Sequence, residues 1–122
     1  MKVICPKECK ERIAKGESIK IIDVREFYEY DQCNIGSTHI PMAEIIERQQ
    51  ELDASDQLVI MCRTGKRAAA VANLLECESS CKNVWVMEGG IRILHHHLES
   101  FTLQRTLDKR PHHFDCKFII LQ

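Results

Sequence analysis

Five consecutive apolar residues, Leu58-Val59-Ile60-Met61-Cys62, constrain this chain more than any other stretch. A run of strand length with no polar face fits the interior of a parallel sheet that is covered on both sides. After Arg63-Thr64-Gly65-Lys66, the residues from Arg67 to Glu76 carry an alanine-rich, 3.6-residue periodicity, the pattern of a helix packed on such a sheet. Strand, short glycine-containing loop and helix in that order form one unit of an α/β fold.

The same alternation extends along the chain. Pro6 suits a first helical position, with Cys5 as its cap and Glu8 beside the exposed amides, which predicts a helix from Pro6 to about Lys15, stopped by Gly16. Ile19 to Val24 reads as a β-branched buried strand that brings Asp23 and Arg25 to the sheet's carboxyl edge, where α/β proteins form their ligand sites. Phe27 to Asp31 has room for one helical turn, and Ile35 to Pro41 reads as loop or short strand. The spacing of Ile45, Ile46 and Gln49 predicts a helix over Met42 to Leu52, ended by Asp53-Ala54-Ser55-Asp56. Val84 to Met87 is a further strand and Ile91 to about Leu103 a further helix, while Phe118 to Leu121 is either a last strand or an exposed end. No repeat or linker interrupts this order, so one domain is expected over residues 1–107, followed by a tail at 108–122.

Charge and cysteine usage exclude several classes. Lysine and arginine total 17 against 18 acidic residues, which leaves no overall basic field for nucleic acid, so any functional positive charge is local. No apolar run approaches the ~20 residues of a membrane-spanning helix, and charged residues follow the start in place of a signal-type segment; a cytoplasmic location is expected. The seven cysteines are odd in number and irregular in spacing, which in a reducing compartment predicts that most are free thiols and not a disulfide framework. Cys5-x3-Cys9 and Cys77-x3-Cys81 have helical spacing, not the tight pairs of zinc sites, so no metal is expected.

Chemistry concentrates at Cys62. Amides of a loop between strand and helix face inward as an anion nest, the helix adds the positive end of its dipole, and Arg63, Lys66 and Arg67 add three cations. Together they favour the thiolate, the nucleophilic form of cysteine. Cations at a helix N-terminus are electrostatically unfavourable, so three of them there need a reason. The other reading is a core cysteine that ends a strand beside a solvated basic helix start.

Three motifs in order, Asp23-Val24-Arg25-Glu26 with Tyr30 nearby, Cys62 to Arg67, and Val86-Met87-Glu88-Gly89-Gly90-Ile91, resemble the rhodanese-like sulfurtransferases over roughly Val3 to Arg92. Glu29 to Gly36 with His39-Ile40-Pro41 looks most like the rhodanese domain fused behind molybdopterin-synthase-adenylating enzymes. The resemblance implies a three-layer α/β fold, a central parallel sheet of about five strands flanked by helices. It also implies that Cys62 takes sulfane sulfur from thiosulfate or a persulfide donor and passes it to cyanide, a thiol or a sulfur-carrier protein, without metal or organic cofactor. Arg63, Thr64, Gly65, Lys66 and Arg67 then bind the donor. Asp23 and Arg25 order the loop from behind; a partly exposed ion pair worth about 0–1 kcal/mol is the other reading of those two.

The segment from Cys62 to Arg67 is one residue shorter than the signature loop of phosphatases and arsenate reductases of related shape, which suits sulfur better than phosphate. Two departures stand out. Ser37-Thr38 separates Gly36 from His39 where the family has Gly-His-Ile, and Arg92-Ile93-Leu94, then His95-His96-His97, occupies positions where many relatives carry an aromatic residue. Cys33 is a second thiol that would resolve a Cys62 persulfide if folding brought it close. Two rival functions fit the same residues: a non-catalytic binding or regulatory module, and a thiol redox relay.

Overall fold

The computed structural model describes residues 1–52 and 56–94. The extension of the last helix toward Leu103, the Phe118 to Leu121 segment, the tail and its boundary lie outside the described residues, as does most of the Asp53 to Asp56 cluster. The elements are β1 (Lys2–Ile4), α1 (Pro6–Ala14), β2 (Ile19–Asp23), α2 (Phe27–Gln32), β3 (Thr38–His39), β4 (Gln57–Met61), α3 (Lys66–Glu78), β5 (Val84–Met87) and α4 (Gly90–Leu94). The strands form one five-stranded parallel sheet in the order β1-β5-β4-β2-β3, with β4 at the centre.

Central placement explains the unbroken apolar run. Leu58, Ile60 and Cys62 face a cluster completed by Ala68, Val71, Ala72 and Leu75 of α3. Val59 and Met61 face the opposite cluster, with Ile4, Cys9, Met87 and Ile91. Strand alternation is thus present, but both faces are buried and both must be apolar. Cys62 lies one residue past β4 and still follows its alternation, which draws the side chain beneath the first turn of α3.

Helix α1 begins as its sequence predicts, with Pro6 in the first position and the Cys5 sulfur accepting the Glu8 N–H at 3.4 Å. The Ile35 to Pro41 stretch holds the short strand β3, and α2 runs one residue beyond the expected turn. The helix expected over Met42 to Leu52 is instead two 3₁₀ turns, Met42–Glu44 and Gln49–Glu51. Arg48 leaves helical backbone there (φ −108°, ψ 17°), and Val24 O takes the Met42 N–H, so i→i+3 bonds close the turns. The periodicity still placed Ile45 and Leu52 in the core. Strand β1 has no counterpart in the sequence reading; its three residues pair with β5 at the sheet edge.

Candidate active site

Asp23 stands across from Met61 in the parallel register, so the chain leaves β2 and β4 side by side at the carboxyl edge. Cys62 is 1% exposed. Its Sγ accepts the N–H of Gly65 at 3.0 Å and of Ala68 at 3.4 Å. Gly65 is the N-cap of α3, at φ +109°, a backbone conformation that suits glycine and leaves the cap without a side chain. An N-cap side chain ordinarily accepts from the second or third helical residue, and here the Cys62 sulfur takes that role toward Ala68. The sulfur therefore sits where the unpaired amides of α3 converge.

Behind the loop, Asp23 is fully buried and Arg25 is 4% exposed. The Arg25 Nε donates to Asp23 Oδ1 at 2.9 Å and its Nη2 to Oδ2 at 2.7 Å. The remaining donors of the guanidinium reach forward to α2, with Nη2 to Cys33 O at 2.6 Å and Nη1 to Glu29 O at 3.3 Å. This is a buried pair, not a surface one, and loss of one partner would strand a charge at a cost of about 3–5 kcal/mol.

Glu29 closes the circuit. Its carboxylate accepts from Arg67 Nη1 at 2.7 Å and Nη2 at 3.0 Å, and from the Glu26 N–H at 2.9 Å. The Arg67 guanidinium, aided by that N–H, holds the Glu29 carboxyl down at about 2. Arg67 is itself raised, chiefly by Glu29 and to a lesser degree by the Cys62 sulfur, in whose field it stands. Asp23, Arg25, α2, Glu29 and Arg67 thus form a continuous chain of polar contacts from the sheet to the active loop. Glu29 had no assigned role in the sequence reading, although its spacing from Glu26 is that of a helix capping pair.

The loop is also held from the far side. Ile91 N–H donates to Cys62 O at 2.8 Å and Arg92 N–H to Arg63 O at 3.2 Å. This approach requires a glycine at position 90, where an added Cβ would lie 2.6 Å from the carbonyl carbon and oxygen of Arg63 and closer still to Cys62 O.

A cavity of about 220 Å³ adjoins the site, lined by Arg25, Glu29, Gln32, Cys33, Arg63, Ile91 and Arg92. Cys62 does not line it, but Arg63 follows Cys62 in the chain and Ile91 is bonded to its carbonyl. Arg63, Thr64 and Lys66 are exposed on the outer side of the loop, and among the described residues no carboxylate pairs with Arg63, Lys66 or Arg92. Cys33 lines the cavity, but it is disulfide-bonded and so is not the free resolving thiol that the sequence reading offered. His39 is engaged elsewhere: its Nε2 lies 2.7 Å from Arg25 O and its ring stacks on Tyr30 at 4.3 Å.

Fold and site together define an α/β protein of the cysteine-loop class, with a buried thiol seated in the amides of a helix start. The family model for the rhodanese-like domain matches residues 6–95, and the chain belongs to that family. It is 37% identical over 92 residues to "Putative sulfurtransferase YtwF" of Bacillus subtilis, which covers 75% of this chain and 87% of that protein. It is 35% identical over 81 residues to "Putative sulfur carrier protein YrkF" of the same organism, 66% of this chain but only 44% of that relative's length. Among solved structures, a rhodanese-related protein from Thermoplasma volcanium superposes with a TM-score of 0.70 at 26% identity, covering 80% of this chain and 93% of that one. A rhodanese-like domain protein from Staphylococcus aureus gives 0.69 at 28% identity, covering 77% and 91%. The names of both relatives concern sulfur transfer. Among the described residues no helix is long and apolar enough to cross a membrane.

Proposed function

We propose that the chain is a sulfurtransferase that works through a persulfide on Cys62. The observation that carries this reading is the Cys62 sulfur held by the amides of Gly65 and Ala68 at the start of α3. Donors aimed at that sulfur suit the thiolate, the form that attacks.

In the first half-reaction the Cys62 thiolate attacks the sulfane sulfur of thiosulfate or of an organic persulfide. The donor's own bond to that sulfur breaks, sulfite or a thiolate departs with the electron pair, and Cys62–S–S⁻ remains. In the second, cyanide or a thiolate, free or carried on an acceptor protein, attacks the outer sulfur, and Cys62 leaves as a thiolate. Each step exchanges one bond to sulfur for another, so the cycle needs no external oxidant, reductant, metal or organic cofactor. Preorganised amides stabilise charge developing in such steps at little reorganisation cost.

Within this reading Arg63, Thr64 and Lys66, on the outer side of the loop, meet the donor anion, and Gly65 contributes its amide. Arg67 is committed to Glu29 and acts by holding the loop and lending its field. Asp23 and Arg25 position both. A cytoplasmic, reducing setting would keep the Cys62 thiol available between cycles.

The test is to incubate the wild type and Cys62→Ser with thiosulfate, and separately with an organic persulfide, then record intact mass and map the modified peptide. A single-sulfur adduct on Cys62 that cyanide removes, absent from Cys62→Ser, is the expected result. No adduct from either donor, or an equal adduct in the serine variant, overturns the proposal.

A further inference from the structure

The cavity beside the loop carries a charge imbalance. Of the ionised residues that line it, Arg25 is neutralised by Asp23 and Glu29 by Arg67. Arg63 and Arg92 remain, two guanidiniums without a carboxylate partner among the described residues, on one cavity of about 220 Å³. Their main chains are held side by side, because the Arg92 N–H is bonded to the Arg63 carbonyl and the adjoining Ile91 N–H to that of Cys62. The close seat of Gly90 on the same carbonyls fixes that junction.

We infer that this cavity is the acceptor site, and that it takes a small thiol bearing a carboxylate, with Arg92 and Arg63 on the carboxylate and the sulfur directed toward the Cys62 loop. The inference rests on the persulfide reading above. Guanidinium is the group best matched to a carboxylate, through paired N–H donors. Gln32 adds an amide and Ile91 an apolar wall, which gives room for a carbon chain that a lone inorganic anion would leave empty. The transfer balances: the acceptor thiol loses its proton to solvent, its thiolate attacks the outer sulfur of Cys62–S–S⁻, the S–S bond to Cys62 breaks, and R–S–S⁻ leaves with Cys62 restored as thiolate.

The experiment compares 3-mercaptopropionate with 2-mercaptoethanol, a charged and an uncharged thiol of similar length, as acceptors for persulfide-loaded protein. The readout is the ratio of their kcat/KM values in the wild type, Arg92→Ala, Arg92→Lys and Arg92→Glu. Wild type should favour the carboxylated thiol. Arg92→Ala should lower the ratio about tenfold to a hundredfold, the range for losing a hydrogen bond to a charged group. Lysine should restore much of it, and glutamate should reverse the preference. Position 92 is exposed, so these variants test recognition without opening the core. If the wild type acquires no sulfur from any donor, the persulfide reading falls and this inference with it. If Cys62 loads normally but the ratio is the same in all four proteins, the acceptor site is refuted and the persulfide reading stands.

Discussion

Gly90→Ala is the sharpest perturbation of the site that touches none of its chemistry. Two costs add at this position. A φ of +61° lies in the left-handed region, which costs an alanine about 1–2 kcal/mol. The new Cβ would also press on the carbonyls of Cys62 and Arg63, which are backbone and cannot rotate away. Relief requires α4 to lift from the loop, which breaks or stretches the Ile91 and Arg92 N–H bonds, each worth about 0.5–1.5 kcal/mol. The sum is about 2–5 kcal/mol, a large part of the ~5–15 kcal/mol that holds a domain of this size together. Gly16→Ala isolates the first cost, because Gly16 has φ +92° but nothing within 4 Å of an added Cβ. Urea unfolding of both variants should give a clearly lower midpoint for Gly90→Ala at similar slope, and sulfur loading of Cys62 should fall only in that variant. If the two glycine variants lose equal stability and load sulfur equally, the close approach of α4 is not what shapes the loop.

Two further outcomes follow from the ionisation of named groups. Glu29→Gln should destabilise the fold by about 1–2 kcal/mol at pH 7, a figure below the full linkage value because Arg67 is one-third exposed. The native carboxyl titrates at about 2 against an ordinary 4.5, so its contribution is complete above 4.5 and fades as pH falls toward 2. Unfolding curves collected across that window should show the gap between wild type and variant closing; a gap independent of pH would rule out the ion pair as its source. Burial raises the Cys9 thiol to about 11, so iodoacetamide at neutral pH should modify the exposed Cys77 and leave Cys9 intact by peptide mapping. Rapid labelling of Cys9 in folded protein would contradict its placement under the sheet.

What could be read from the sequence was what is local. The β4, loop and α3 unit is legible because an apolar run, a glycine and an alanine-rich periodicity follow one another without a gap. Asp23 and Arg25 are legible as residues at a strand end, but not their action, which passes through α2. Glu29 and Arg67 lie 38 positions apart, and no local pattern joins them. The Met42 to Leu52 stretch marks the complementary limit: hydrophobic spacing determines which side chains are buried, while the hydrogen-bond pattern depends on how the segment is pinned, here by Val24 and Arg48. Strand β1 is too short to show alternation, and only its partner β5 makes it a strand.

The start of α3 breaks the ordinary rules of helix design within a few residues. Its cap has no side chain, its first turn has no acid, and basic residues stand at Arg63, Lys66 and Arg67, against a dipole that penalises each nearby cation by about 0.3–1 kcal/mol. A helix selected for stability alone would carry serine or aspartate at the cap and glutamate in the first turn. Among the described residues a carboxylate pairs with one of these cations, Arg67, and it is brought from α2 so that the amides are left to the Cys62 sulfur. A carboxylate at the cap would occupy those same amides. The acid that the helix lacks has in effect been moved to Glu29, where it steadies the loop without filling the seat of the sulfur, and under the proposed function the outward-facing charges of Arg63 and Lys66 are the ones that meet the donor anion.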